Sequence, residues 1–103
     1  MHERIEIRVG DGIVCVVPSG ELDLVTAPAL RAALEEAVAL GLGRIRITLR
    51  DVTFLDSTAL GAIVHGSRMA TEQGRVLTLT APAPSIRRVL TVTGLDHLLD
   101  GRS

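Results

Sequence analysis

One segment, RIRITLR at residues 44–50, constrains the fold of this chain more than any other. An apolar residue stands at every second position, between three arginines and a threonine. Because successive side chains of a β-strand point to opposite faces, this alternation predicts a strand with one buried and one exposed face. A strand covered on both faces would instead be continuously apolar. We therefore predict a sheet with its helices mainly on one face, and with Arg44, Arg46 and Arg50 on the face that the first two helices leave uncovered.

Three further segments have the character of strands. Residues 5–9 and 76–80 alternate apolar and polar side chains, whereas residues 13–17 are apolar throughout. The Asp-Gly pair at residues 11–12 is typical of a tight turn, so the first two strands are expected to form a hairpin. The proline and glycine of residues 18–20 are predicted to end the second strand.

Three segments have helical periodicity, with apolar residues three and four positions apart. Their predicted limits are residues 26–41, 58–73 and 85–94, with Thr26 and Ser85 as N-caps and a glycine closing each helix. The complete order is therefore β-β-α-β-α-β-α. Strands that are joined through helices become parallel neighbours in one sheet, whereas the opening hairpin is antiparallel. The sequence predicts an α/β fold with a single four-stranded mixed sheet.

Composition limits the function classes. The chain has 103 residues, of which 47% are hydrophobic, enough to bury the core of one domain over residues 1–103. A net charge of −1 and a single aromatic residue, Phe54, give no basis for binding nucleic acid. The lone Cys15 cannot form an internal disulfide and is predicted to be a buried hydrophobe, which fits a reducing cytoplasm. Residues 1–10 do not resemble a signal peptide, and no apolar run is long enough to span a bilayer, so we expect a cytoplasmic protein without a membrane partner.

Three observations argue against catalysis. All 11 basic residues are arginine, and the absence of lysine excludes a P-loop and a Schiff-base mechanism. His65 lies about 12 Å beyond Ser57 along a helix, whereas a general base must lie within about 3 Å of the proton that it removes. Leu55 and Ala59 also stand where a nucleophile elbow requires glycine. We predict no enzyme activity, no catalytic residue, no cofactor and no metal site.

The segment Asp56-Ser57-Thr58 places three small oxygen-bearing side chains between two apolar runs. One interpretation is a helix start, because these side chains accept hydrogen bonds from the unpaired N–H groups of a first turn. The other is a phosphorylated hydroxyl, because the N-terminus of a helix favours a phosphate group. Either Asp56 or Ser57 can be the cap, and Thr58 is the second candidate for phosphorylation.

Four segments together carry a resemblance to a known family. They are GELDL at residues 20–24, TAP at residues 26–28, DVTFLDSTALG at residues 51–61 and VTGL at residues 92–95. In their order and placement they resemble the STAS domain and, more narrowly, the bacterial anti-sigma factor antagonists. The resemblance extends over nearly the whole chain, from the first strand to about Leu99.

The resemblance implies a phosphorylation switch without a cofactor. Ser57 corresponds to the serine that an anti-sigma factor serine kinase phosphorylates. The unphosphorylated antagonist binds this kinase and frees a sigma factor, and a PP2C-type phosphatase restores the unphosphorylated form. By the same resemblance Asp23, Asp56, Ser57 and Thr58 are the partner-binding residues.

Two departures from the family pattern qualify this hypothesis. Ala59 stands where the family usually has glycine, which implies a slightly shifted backbone where the kinase docks. The chain also ends at Ser103, short of the last helix of the family, which implies that part of a typical surface is missing. An alternative function stays open, that of an unphosphorylated STAS subunit in a transport or sensory assembly.

Overall fold

The computed structural model describes residues 5–41 and 43–100, and the two ends of the predicted domain lie outside them. Six strands, three α-helices and one 3₁₀ turn occur in this part of the chain. Four of the strands and the three helices follow the predicted order. The elements are β1 (Ile5–Gly10), β2 (Ile13–Pro18), β3 (Gly20–Leu22), α1 (Ala27–Ala39), β4 (Arg44–Thr48), β5 (Val52–Leu55), α2 (Ser57–Glu72), β6 (Val76–Thr80), α3 (Pro84–Val92) and the 3₁₀ turn (Asp96–Leu98).

A mixed four-stranded sheet forms the centre of the fold, in the order β1-β2-β4-β6. β1 is antiparallel to β2, whereas the β2–β4 and β4–β6 pairs are parallel. The β1–β2 hairpin closes with a two-residue turn in which Asp11 and Gly12 have φ values of 54° and 76°. A type I′ turn needs positive φ at both positions, which glycine adopts without strain and aspartate tolerates better than most residues. The predicted mixed sheet and its hairpin are confirmed.

Helices α1 and α2 pack against each other over one face of this sheet. Val14, Ile45 and Leu77 are registered neighbours on β2, β4 and β6, and all three are buried on that face. Gly66 of α2 fits between the helices and the sheet, because a methyl group on it would lie 3.0 Å from Cδ1 of Leu34 in α1 and 3.4 Å from Cδ1 of Leu77. The prediction that the helices lie mainly on one face is confirmed.

The opposite face of the sheet carries arginines, as predicted for Arg44 and Arg46. These two alternate along β4 with fully buried isoleucines, so they point away from α1 and α2. Arg50 is exposed, but the predicted strand end is wrong, because β4 ends two residues earlier and Arg50 lies in the turn before β5. The prediction for Cys15 is also wrong. This thiol is only half-buried on the open face, with its Sγ 3.2 Å from Oγ1 of Thr48.

A second, two-stranded parallel sheet joins β3 to β5 and was not predicted from the sequence. Gly20 begins β3 instead of ending the preceding strand, and its N–H donates to the carbonyl oxygen of Asp51 at 2.9 Å. Leu22 pairs with Leu55, and both side chains are buried in the common core. Because α1 follows β3 and α2 follows β5, this pair determines where both helices begin.

Of the two predicted N-caps, one is correct in position and the other is wrong. Thr26 occupies the N-cap position of α1, but its side chain makes no capping bond. The third helix starts at Pro84, so Ser85 lies inside its first turn and Ala83 occupies the N-cap position. Proline is favoured at the first helical position because it needs no hydrogen-bond partner there and its φ is already helical. Two apolar side chains of this helix, Ile86 and Leu90, are buried in the core.

Candidate functional site

The N-termini of α1 and α2 lie beside each other at the carboxyl edge of the β3–β5 pair. The N–H of Asp56 donates to the carbonyl oxygen of Leu22 at 3.1 Å, which ties the two strand ends together. Asp23 follows Leu22 and Asp56 follows Leu55, so the two acidic residues end neighbouring strands, which are about 4.8 Å apart. The structure therefore brings Asp23 to the Asp56-Ser57-Thr58 motif.

Asp56 is the N-cap of α2. Its Oδ1 accepts hydrogen bonds from the N–H groups of Thr58 at 2.9 Å and Ala59 at 3.1 Å. Its backbone is extended, with φ −106° and ψ −177°, as an N-cap requires. Between the two capping residues that the sequence allows, the structure selects Asp56, and the Ser57 hydroxyl is not used to cap the helix.

Ser57 is the first residue of α2, and its side chain is exposed to solvent. No hydrogen bond joins its hydroxyl to another residue in the part of the chain that the structure describes. Thr58 is also exposed, but it faces the space between α1 and α2, whereas Ser57 projects about 100° away around the helix. Both hydroxyls are accessible, but only Ser57 points away from the groove between α1 and α2.

The capping role of Asp56 leads to a stability prediction. We expect Asp56→Ala to lower the free energy of unfolding by about 1–2 kcal/mol, because it leaves two N–H groups of the first turn without their partner. Asp56→Asn retains an accepting oxygen and is the matched control, with an expected loss below about 0.5 kcal/mol. Urea denaturation measures both values. Equal losses in the two variants would contradict a role that depends on these hydrogen bonds.

Asp23 shapes the loop between β3 and α1. Its Oδ1 accepts hydrogen bonds from the N–H groups of Val25 at 3.0 Å and Thr26 at 3.2 Å, as in an Asx turn. The buried Thr26 hydroxyl accepts from the N–H of Asp23 at 2.8 Å and donates to the carbonyl oxygen of Glu21 at 3.0 Å. These bonds explain why Thr26 does not cap the helix. The loop they form holds Leu24 and Val25 outward, with 70% and 83% of their surface exposed.

A groove of about 180 Å³ lies between the first turns of α1 and α2. Sequence reasoning identified only Thr58 among its lining residues. The sequence does carry a signal for Leu24, which forms with Val25 an exposed apolar pair in the turn before α1. The groove is lined by Leu24, Ala27, Pro28, Arg31, Thr58 and Ala62.

His65 lies further along the contact between α1 and α2. Its Nε2 is 3.0 Å from Oε2 of Glu35, and its Nδ1 is 3.3 Å from a guanidinium nitrogen of Arg31. Arg31 and Glu35 themselves form an ion pair of 3.8 Å one turn apart on α1. Both ring nitrogens of His65 therefore serve the interhelical contact, in agreement with the prediction that this histidine is not a base for Ser57.

Ala59 lies in the first turn of α2. Its side chain is fully buried in the core, and its N–H is bonded to the Asp56 carboxylate. α2 runs without interruption from Ser57 to Glu72. A backbone shift relative to family members with glycine at this position stays a prediction.

Within residues 5–41 and 43–100, no three His, Cys, Asp or Glu side chains are grouped so as to hold a metal ion. Over the same residues, no helix has the length and apolar character needed to cross a membrane. The fold and the site define a small α/β domain that presents a serine hydroxyl at the N-terminus of a helix, beside an exposed apolar loop.

Comparison with known proteins identifies the family. The STAS domain family profile matches residues 4–102. The anti-sigma-B factor antagonist of Bacillus subtilis (strain 168) is 32% identical over 100 residues, which cover 97% of this chain and 91% of that protein. The crystal structure of an anti-sigma factor antagonist from Mycobacterium paratuberculosis has a TM-score of 0.85 and 32% identity, covering 95% of this chain and 83% of that one. The chain therefore belongs to the STAS domain family, and these relatives are bacterial anti-sigma factor antagonists.

The same fold occurs in the anti-sigma factor antagonist SpoIIAA in two chemical states. The unphosphorylated form has a TM-score of 0.82 and 21% identity, covering 94% of this chain and 86% of that one. The phosphorylated form from Bacillus has a TM-score of 0.73 and 24% identity, covering 96% and 89%. At this level of identity the comparison concerns the fold alone.

Proposed function

We propose that this protein is an anti-sigma factor antagonist in a partner-switching pathway. The unphosphorylated form binds an anti-sigma factor that is a serine kinase and thereby releases a sigma factor. Phosphorylation of Ser57 by that kinase ends the interaction, and a PP2C-type phosphatase restores it. One observation supports this proposal above the others. The Ser57 hydroxyl is exposed and takes no part in capping α2, because Asp56 supplies the cap.

The surface beside Ser57 is suited to a protein partner. Leu24 and Val25 are largely exposed on the loop before α1, and Leu24 extends into the groove beside Thr58. Exposed apolar side chains that adjoin one another are a common feature of protein contact surfaces. A partner that covers this loop and the groove also reaches Ser57, so binding and phosphorylation would use one surface.

Acidic side chains complete the surface, which carries Asp23 and Asp56 at the strand ends. A complementary partner would present basic groups to this edge, because opposite charges across an interface speed association and fix its orientation. Phosphorylation adds about −1.5 to −2 charges beside these carboxylates. The proposed partner-binding set is therefore Asp23, Asp56, Ser57 and Thr58, extended by the exposed loop.

The phosphate is proposed to act on the surface and not on the fold. At the N-terminus of α2 it gains about 0.3–1 kcal/mol from the helix dipole. Repulsion from the partly exposed carboxylates of Asp23 and Asp56 opposes it by about 1 kcal/mol. A conformational population shift from 1:99 to 99:1 would need about 5.5 kcal/mol, which neither contribution supplies. We therefore infer that phosphorylation blocks the partner directly and leaves the backbone unchanged.

Intact-mass measurement tests the proposal. We expect the protein to gain one phosphoryl group when it is incubated with ATP and an anti-sigma factor kinase from the same bacterium. Ser57→Ala should gain none, whereas Thr58→Ala should still gain one, because Thr58 belongs to the proposed contact surface but only Ser57 is proposed as the acceptor. Stable binding to the kinase without any mass increase would contradict the switch and favour an unphosphorylated STAS subunit of a transport or sensory assembly.

A further inference from the structure

The two edges of the four-stranded sheet differ in how they are protected. At the β6 edge, Leu99 forms a parallel bridge with Leu79, and the N–H of Asp100 donates to the carbonyl oxygen of Leu79 at 2.8 Å. At the other edge, β1 pairs with β2 and with no further strand in the described part of the chain. β1 contains no proline and its register with β2 is unbroken, so two common features that prevent edge pairing are missing.

The hairpin geometry determines which backbone groups of β1 are available. The residues that flank the type I′ turn at residues 11–12 form a hydrogen-bonded pair. Hydrogen-bonded and non-hydrogen-bonded pairs then alternate along the antiparallel ladder, so the even-numbered residues of β1 bond to β2. The N–H and C=O groups of the odd-numbered residues point to the open edge. These residues are Ile5, Ile7 and Val9.

We propose that β1 pairs antiparallel with β1 of a second copy of this chain, about a two-fold axis through Ile7. Three symmetric registers pair at least two of these residues on each strand, and they are centred on Glu6, Ile7 or Arg8. Centring on Glu6 or on Arg8 places two identical charges directly opposite each other, which is destabilising. Centring on Ile7 places each Glu6 opposite the Arg8 of the other copy. It also places Val9, 56% exposed, opposite Ile5.

Charge complementarity therefore selects one partner and one register. Glu6 and Arg8 lie on the same face of β1, where they form an ion pair of 2.6 Å. In the proposed pairing, Glu6 of each copy lies opposite Arg8 of the other copy. Each charge therefore has one opposite charge on its own strand and a second one across the dimer contact. The side chains of such non-hydrogen-bonded cross-strand pairs are the closest in an antiparallel sheet. The result is an isologous dimer with a sheet that continues through both copies.

The dimer is expected to be weak. A contact between two six-residue strands covers less than the roughly 1,000 Å² of a stable specific interface. Assembly should therefore depend on protein concentration and weaken as salt screens the exposed charges. β1 contributes no residue to the groove beside Ser57, so the dimer proposal does not rest on the proposed function.

Two single charge reversals and their mixture test the proposal by sedimentation equilibrium at low ionic strength. E6R and R8E each place like charges across the two-fold axis, so each variant should raise the dimer dissociation constant by about tenfold or more. An equimolar mixture of E6R and R8E restores opposite charges at both cross-strand pairs and should recover the dimer. The double variant E6R/R8E should recover it alone, because the reversed pattern is again self-complementary.

Circular dichroism verifies that each variant remains folded, as expected for side chains at the edge of the sheet. A chain that stays monomeric at the highest accessible concentration would overturn the proposal. Single variants that dimerise as strongly as the unchanged chain would also overturn it. So would a mixture that associates no better than its two components.

Discussion

Ser57→Asp is expected to weaken binding to the anti-sigma factor by about 30-fold or more, whereas Ser57→Ala is expected to bind as tightly as the unphosphorylated protein. The basic groups proposed on the partner pair with Asp23 and Asp56, so the added carboxylate beside Asp56 would be buried without an opposite charge of its own, which costs about 2–5 kcal/mol. Each 1.4 kcal/mol corresponds to about a tenfold change in dissociation constant. The alanine removes only a hydroxyl that makes no hydrogen bond to the described residues.

Calorimetric titration of the kinase with both variants measures this difference. Thermal unfolding provides the control, because neither substitution touches the core or the Asp56 cap, and both melting temperatures should stay near that of the unchanged protein. Equal affinities of the two variants would contradict the phosphorylation switch. A large fall in the melting temperature of Ser57→Asp alone would instead indicate that the added charge acts by disturbing α2.

Leu34→Ala is expected to lower the free energy of unfolding by about 3–5 kcal/mol, because this fully buried side chain joins α1 to α2 and to the sheet. Gly66→Ala in the unchanged protein is expected to cost about 1 kcal/mol, since overpacking against Leu34 exceeds the gain in helix propensity. In the Leu34→Ala background the same substitution should instead recover about 1 kcal/mol, because the 3.0 Å approach to Cδ1 is gone. The 3.2 Å approach to Cβ of residue 34 remains, and a shift of a few tenths of an ångström between the helices relieves it.

Urea denaturation of the two single variants and the double variant measures this reversal of sign. Gly61→Ala is the matched control on α2, because a methyl group there meets no atom within 4 Å. It should stabilise the protein by about 0.5–1 kcal/mol through helix propensity alone. A loss of stability from Gly66→Ala in both backgrounds would contradict the close contact between Gly66 and Leu34.

Much of the architecture follows from local patterns in the sequence. Alternation in residues 44–50 predicted which face of β4 is buried, and the Asp-Gly pair predicted the β1–β2 hairpin, because side-chain period and turn conformation are properties of a few neighbouring residues. The helix start after Asp56 was predictable for a related reason. Asp56, Ser57 and Thr58 are consecutive, so their relation to a helix start is visible without knowledge of the fold.

Other features, among them the β3–β5 pair, depend on contacts between distant parts of the chain and are determined only by the tertiary structure. β3 has three residues and β5 has four, which is too short for a recognisable period, and their pairing arises only when Leu22 and Leu55 are buried together. The same pairing brings Asp23 to Asp56 and forms the groove between the helices. Thr26 shows the reason most clearly. Its position predicts a side chain that caps the helix. In the folded loop its hydroxyl instead donates to the Glu21 carbonyl oxygen and accepts from the Asp23 N–H. These are the polar groups that surround it, and a buried hydroxyl must find its hydrogen bonds among such neighbours.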